Sequence, residues 1–318
     1  RHREDEAGLA LHGVVVSGLC GVDSARGVPS PQRRSRHGNQ LMSRTAARIV
    51  AERLVAAGHR TVFAGGCVRD RLLERPVHDI DIATAATAAE VMALFERTVP
   101  VGESFGVVKV LHGGEAFDVA TFREDVGVLD GRHPAEVKPA TLDEDVRRRD
   151  FTINALVEDP ISGEVVDLVG GLPDLRAGIL RAIGEPAQRF REDALRLLRA
   201  VRFASVLAFE VERSTLAGMR AEAQGLRHVS GERIRDELAR TLAGPGRVRA
   251  IRLLLEAELV DGALPECAQG LAADGRRDAL LACLEALPES VELPLALAAL
   301  LLGCGPRDLG PKGTEALA

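Results

Sequence analysis

"FAGGCVRDRLLERPVHDIDIAT", residues 63–84, sets two adjacent glycines before an arginine and an aspartate, then closes on two aspartates one residue apart. "TVFAGG" (61–66) predicts a buried strand running into a glycine turn, "CVRDRLLE" the helix that follows, and "DIDIAT" a second strand. Strand side chains alternate between faces, so Asp79 and Asp81 project together while Ile80 and Ile82 pack behind them. Two neighbouring carboxylates repel, and a cation between them relieves the repulsion. Hard carboxylate oxygens suit Mg²⁺, and a third carboxylate on a neighbouring strand would complete a site for in-line phosphoryl displacement. Asp118 in "AFDVATF" is the candidate, because Phe117 and Val119 would face the core opposite it. Gly65 and Gly66 let backbone amides approach a phosphate, and Arg69, one helical turn on, adds a cation for a triphosphate. A paired aspartate alone also describes a solvated strand face, and a glycine turn alone an ordinary connection. Their joint occurrence in one unit carries the reading.

Outward from that stretch, the pattern predicts helices over 45–58 and 87–97 and a hairpin over 105–122 turning at Gly113-Gly114. Residues 123–145 read as a loop, "LDEDVRRRDFTINALV" as a helix, and "GEVVDLVGGLPDL" as a strand and turn. From about residue 176 the chain reads as helical without strand runs. The fold class expected is an α/β head, a mixed sheet with helices, followed by an all-α neck and a partial body. Residues 1–42 are expected to be a disordered or non-native extension and 43–165 the catalytic head. Residues 166–250 are expected to form the helical neck and 251–318 a truncated body.

Composition narrows the function classes. The chain has 318 residues and 46% hydrophobic content, ample for buried cores. "LPLALAALLL" (293–302) is too short for a membrane span, so no membrane partner is expected. Five scattered cysteines without a CxxC fit a reducing cytoplasm. The net charge of −6 conceals an asymmetry: residues 176–249 carry fifteen arginines against nine acidic residues. A local basic stripe can bind phosphates whatever the global sum. The lysines are only Lys109, Lys138 and Lys312.

"GGCVRD" followed by "HDIDIAT" resembles the first motif of the class II tRNA nucleotidyltransferase and bacterial poly(A) polymerase family. The resemblance continues in order through "RRRDFTINAL" (147–156), "VVDLVGGLPDL" (165–175), "REDALRLLRAVRFA" (191–204) and "SGERIRDEL" (230–238). It implies a palm-like catalytic head, Mg²⁺ held by Asp79, Asp81 and Asp118, and a triphosphate contacted by Gly65, Gly66 and Arg69. It further implies that Arg149 and Asp150 lie near the nucleotide, the aspartate on the ribose, with Asn154 holding the turn. In the fourth motif it assigns Asp193 and Arg196 to the Watson–Crick edges of CTP and ATP, and Arg199 and Arg202 to phosphates or primer. The loop "REDVGVLDGRHPAEV" (123–137) resembles the flexible loop of CCA-adding members, with Arg132 its functional basic residue. The activity implied is template-independent addition of CCA to the tRNA 3′ end from CTP and ATP, with release of pyrophosphate. An A-adding or poly(A)-adding relative and a non-catalytic RNA-binding relative are the alternatives. Leu302-Gly303 stands where some relatives begin a His-Asp phosphohydrolase domain, so no such activity is expected, and no protein partner is inferred.

Overall fold

The computed structural model describes residues 32–77, 79–101, 106–128 and 134–303. The chain divides at Gly38, and the unit Asn39–Ala318 carries the architecture. A long helix α1 (Gln32–Ala56) leads into β1 (Thr61–Ala64), α2 (Gly66–Leu72), β2 (Asp81–Thr84), α3 (Ala88–Leu94) and β3 (Thr98–Pro100). Strands β4 (Val107–His112), β5 (Glu115–Thr121), β6 (Arg123–Val128) and β7 (Pro134–Pro139) follow, then α4 (Leu142–Arg147), β8 (Val157–Glu158) and β9 (Val165–Val166). Beyond them come α5 (Gly171–Ala177), β10 (Ile179–Leu180), α6 (Pro186–Glu192), α7 (Leu195–Leu207), β11 (Glu210–Val211), α8 (Arg213–Ala221) and α9 (Gly231–Leu242). The chain continues through α10 (Arg247–Glu256), α11 (Val260–Ala263), α12 (Ala268–Ala272), α13 (Asp274–Glu285) and α14 (Leu293–Gly303).

Seven strands form a mixed sheet in the order β3-β4-β5-β2-β1-β8-β9, whose one parallel pair is β2 with β5. One face carries Phe63, Ile82, Val108, Val110, Phe117 and Val119 into a core with Ala47, Val50 and Leu54 of α1 and Val91 of α3. The other face carries Val62, Ala64 and Ala83 against Leu142, Val146 and Ala155. Asp81, Lys109 and Asp118 fall on this second face at the positions the alternation demands. No described helix is long and apolar enough to cross a membrane.

The expected α/β head and helical remainder are present, with five local differences. Helix α1 begins at Gln32, inside the stretch expected to lack structure; extending a nucleated helix costs far less than starting one, so a weak apolar period did not reveal it. The expectation for residues 1–31 lies outside the described residues. Residues 123–128 and 134–139 pair as the antiparallel strands β6 and β7, Arg123 opposite Pro139, where charge on both strands hid the alternation. The helix expected over 142–157 stops at Arg147, and Thr152–Asn154 form a 3₁₀ turn. There the Phe151 amide donates to Asp150 Oδ1 at 2.8 Å, a local bond that competes with helix continuation. Finally, β10 and β11 form a small parallel pair within the helical part, and 171–177, read as a turn, is helical.

Candidate active site

The β1–β2 register places Ala64 opposite Asp81, so the glycine turn leaving β1 lies beside the first residue of β2. Gly65 caps α2 at φ 76°, ψ −129°, a conformation open to glycine, and a Cβ there would meet Arg149 Nη1 at 3.2 Å. On the other flank, β2 and β5 pair in parallel with Ile82 opposite Val119, which brings Asp118 alongside Asp81. Asp79 precedes β2 and is exposed.

Crowding by surrounding protein pushes the Asp81 carboxyl above the usual carboxylate range. Arg149 pulls it down, while Asp118 and Asp79 add to the rise. The cluster is therefore short of positive charge, and three hard carboxylate donors fit a divalent cation. They are not gathered into a finished ligand set: among the described residues no three His, Cys, Asp or Glu side chains are arranged to hold an ion. Asp118 instead accepts a bond from Lys109 Nζ at 2.5 Å.

In front of this face opens a cleft of about 1160 Å³. Eleven of the residues expected at the site line it: Gly65, Gly66, Arg69, Asp81, Arg149, Asp150, Asn154, Asp193, Arg196, Arg199 and Arg202. Asp79 and Asp118 lie outside its lining, and Arg132 lies outside the described residues.

The far wall is α7, on which Arg196, Arg199 and Arg202 follow at three-residue spacing. Asp193 is not on that helix with them; it sits in the break after α6 and accepts from the Leu195 amide at 3.1 Å. Arg233 of α9 pairs with Asp193 at 2.9 Å. Arg196 donates to Glu192 at 2.8 Å and to the carbonyls of Arg189 and Arg148. The two expected base-reading side chains are thus held by separate partners, not by each other.

A continuous chain of bonds joins head to neck. Arg69 Nη1 donates to Asn154 Oδ1 at 2.5 Å, Asn154 Nδ2 to Asp150 Oδ1 at 3.1 Å, and Arg199 Nε to Asp150 Oδ2 at 2.7 Å. Burial alone would raise Asp150, but Arg199, Asn154 and the Phe151 amide outweigh it and hold the carboxyl below its usual range. Both Asp150 oxygens are engaged, so its first duty here is to tie α7 to the sheet; a ribose contact would share those oxygens. Arg69 is also committed, to both oxygens of Asp70 and to the face of Phe203, 5.0 Å away. Arg199 and Arg202 approach the same ring, at 5.3 and 4.1 Å. Arg149 keeps a buried Nε with no hydrogen-bond partner.

Several residues that shape the site were not singled out from the sequence. Asp145 is buried and holds Arg148 and Arg149 at 2.6 and 3.0 Å; Arg148 and Arg149 offset the burial cost and keep its carboxyl low. Asp167 accepts from the amides of Val169, Gly170, Gly171 and Leu172, which fixes the third motif as a helix start. Gly171 lies so close to the Thr152 carbonyl that a Cβ would sit 2.3 Å from it. Phe203 and Arg233 stood inside quoted motifs, and Lys109 fell on the aspartate face by simple alternation, so the signal for these three was present.

Asp81 at the start of β2 faces Arg196, Arg199 and Arg202 across a cleft large enough for a nucleotide, an arrangement suited to phosphoryl chemistry. Residues 61–181 match the Poly A polymerase head domain family, and residues 208–271 match the probable RNA- and SrmB-binding site of polymerase A. The CCA-adding enzyme of Oceanobacillus iheyensis is 46% identical over 213 residues, 67% of this chain and 53% of that protein. That of Lactobacillus delbrueckii subsp. bulgaricus is 41% identical over 270 residues, 84% of this chain and 66% of that protein. The crystal structure of the Bacillus stearothermophilus CCA-adding enzyme in complex with CTP superposes with a TM-score of 0.66 at 36% identity, covering 86% of this chain and 69% of that one. The chain belongs to the family of CCA-adding enzymes and poly(A) polymerases, and membership implies dependence on a divalent metal. It spans about half the length of the first of these relatives.

Proposed function

We propose that this chain carries the transfer centre of a cytoplasmic enzyme that adds C, C and A to the tRNA 3′ end from CTP and ATP, with Mg²⁺ as its metal. Residues 43–165 serve as head, 166–250 as neck and the region from 251 as the start of the body. The observation that carries the reading is the cleft itself, which Asp81 of the sheet lines together with Asp193 and Arg196.

Asp79, Asp81 and Asp118 would hold the metal, which would supply charge stabilisation at the transferred phosphate and acidify the primer hydroxyl. The amides of Gly65 and Gly66, with the Arg149 guanidinium that lines the same cleft, bind the triphosphate tail. The primer 3′-oxygen forms the new bond to the α-phosphate, the bond to pyrophosphate breaks, and Asp118 takes the hydroxyl proton. Positioning and electrostatics supply most of the rate.

Cytosine and adenine share an amino donor beside an unprotonated ring nitrogen, whereas guanine and uracil present a carbonyl beside a ring N–H. A carboxylate and a guanidinium accept and donate in the order the first pair needs. Asp193, held by Arg233, and Arg196, held by Glu192, offer that order without a nucleic-acid template.

The test supplies Mg²⁺ and three tRNA transcripts, ending before CCA, after C and after CC, with CTP, ATP or both, read at single-nucleotide resolution. Stepwise C, C, A addition that then stops is expected. Long A tails, or A added only to the CC-ending transcript, would replace the reading with a poly(A)- or A-adding one. No addition, with tRNA binding retained, would leave a binding protein.

A further inference from the structure

We propose that Lys109 is a built-in counter-ion of the transfer site that competes with the metal for the third carboxylate. This rests on Asp118 being a metal ligand, as proposed above.

Three observations converge. Lys109 on β4 and Asp118 on β5 are directly opposed in an antiparallel register, and their ion pair closes at 2.5 Å. The next strand in the sheet is β2, so ammonium, Asp118 carboxylate and Asp81 carboxylate stand in one row on one face. Lastly, Asp79, Asp81 and Asp118 do not converge as a ligand set in this arrangement. Lys109 Nζ takes Oδ1 of Asp118, and its ammonium would stand as a like charge beside a divalent ion bound to the same carboxylate. Lys109 therefore competes with the metal for Asp118, and metal uptake works against this pair.

The chain contains only three lysines among 41 basic residues. The side-chain type matters here. A flexible ammonium carries one compact charge and releases a carboxylate readily, while arginine would grip it through two parallel bonds. The half-exposed geometry, 35% for Lys109 and 48% for Asp118, keeps the pair weak enough to be exchanged.

The consequence is readable without turnover. The metal-stripped full chain is titrated with Mn²⁺ alone by calorimetry, with electron paramagnetic resonance counting free ion, for the wild type, K109M, K109Q, D118N and K109M/D118N, each with and without D81N. K109M and K109Q should bind Mn²⁺ about two- to fivefold more tightly than the wild type, the size expected of a half-exposed ion pair. Higher salt, which weakens the pair, should narrow that gap. D118N should abolish the gain, so the double variant matches D118N. Unchanged or weaker binding by both Lys109 variants, while D81N still abolishes binding, overturns the role of Lys109 alone. Binding insensitive to D81N in every chain overturns the metal assignment itself.

Discussion

Replacing Asp150 by asparagine removes one charge from a buried carboxylate bonded to Phe151, Asn154 and Arg199 and leaves its shape in place. The introduced amide keeps an oxygen for the Phe151 N–H, which lies 2.8 Å from Oδ1 in the wild type, but loses the charge that Arg199 faces at 2.6 Å. Breaking a buried pair by removing one partner costs about 3–5 kcal/mol when the survivor stays buried. Here the survivor is one-third exposed, at 34% for the Arg199 side chain, and can take up water from the cleft. The expected loss is about 2–3 kcal/mol, reduced for that screening. The sign of the pH dependence is fixed by the direction of the shift. Asp150 is held below its unfolded value, so its contribution is complete above the ordinary carboxylate pKa of about 4 and fades as pH falls through the lower folded value. Urea unfolding of wild type and D150N between pH 8 and pH 3 reads this directly. The difference should stay flat down to about pH 5 and shrink only below about pH 4. A loss under about 0.5 kcal/mol at pH 7, the scale of ordinary surface changes, would refute the reasoning. So would a difference that grows on acidification.

Gly171→Ala would drive a Cβ to 2.3 Å from the Thr152 carbonyl, in backbone that cannot swing away; thermal denaturation should report a loss of about 1–3 kcal/mol or more, with a raised KM for nucleotide because Asn154 shares that turn. Arg247 is 2% exposed and donates to the carbonyls of Leu242, Pro288 and Glu289 among others. Arg247→Met should cost about 3–5 kcal/mol by chemical unfolding, whereas a surface substitution such as Arg235→Met should fall within about 0.5 kcal/mol. Burial, with Asp81 adding to it, pushes the Cys67 thiol up to about 11. Iodoacetamide at pH 8, read peptide by peptide in a mass spectrometer, should therefore modify exposed Cys283 and spare Cys67. Rapid labelling of Cys67 in the folded chain would contradict that.

The sequence by itself determined the sheet face of the site. Alternation has a period of two, so "DIDIAT" and "AFDVATF" forced Asp81 and Asp118 outward as soon as Ile82, Phe117 and Val119 were buried. The glycine turn was equally legible, because Gly65 adopts a backbone that side chains resist. Ordered motifs then located Asp150, Asn154 and the α7 arginines. What the sequence left open is who holds whom. Arg233 on Asp193, Arg199 on Asp150 and Lys109 on Asp118 join elements 40, 49 and 9 residues apart. A charged side chain selects its partner by geometry and desolvation after the backbone has closed, and no local period encodes that choice. The β6–β7 pair escaped for a related reason: its pairing rests on backbone hydrogen bonds between strands, which any sequence of charges can make. Tertiary structure alone decided that the sheet and α7 face each other across one cleft, since that follows from the packing of both on a shared core.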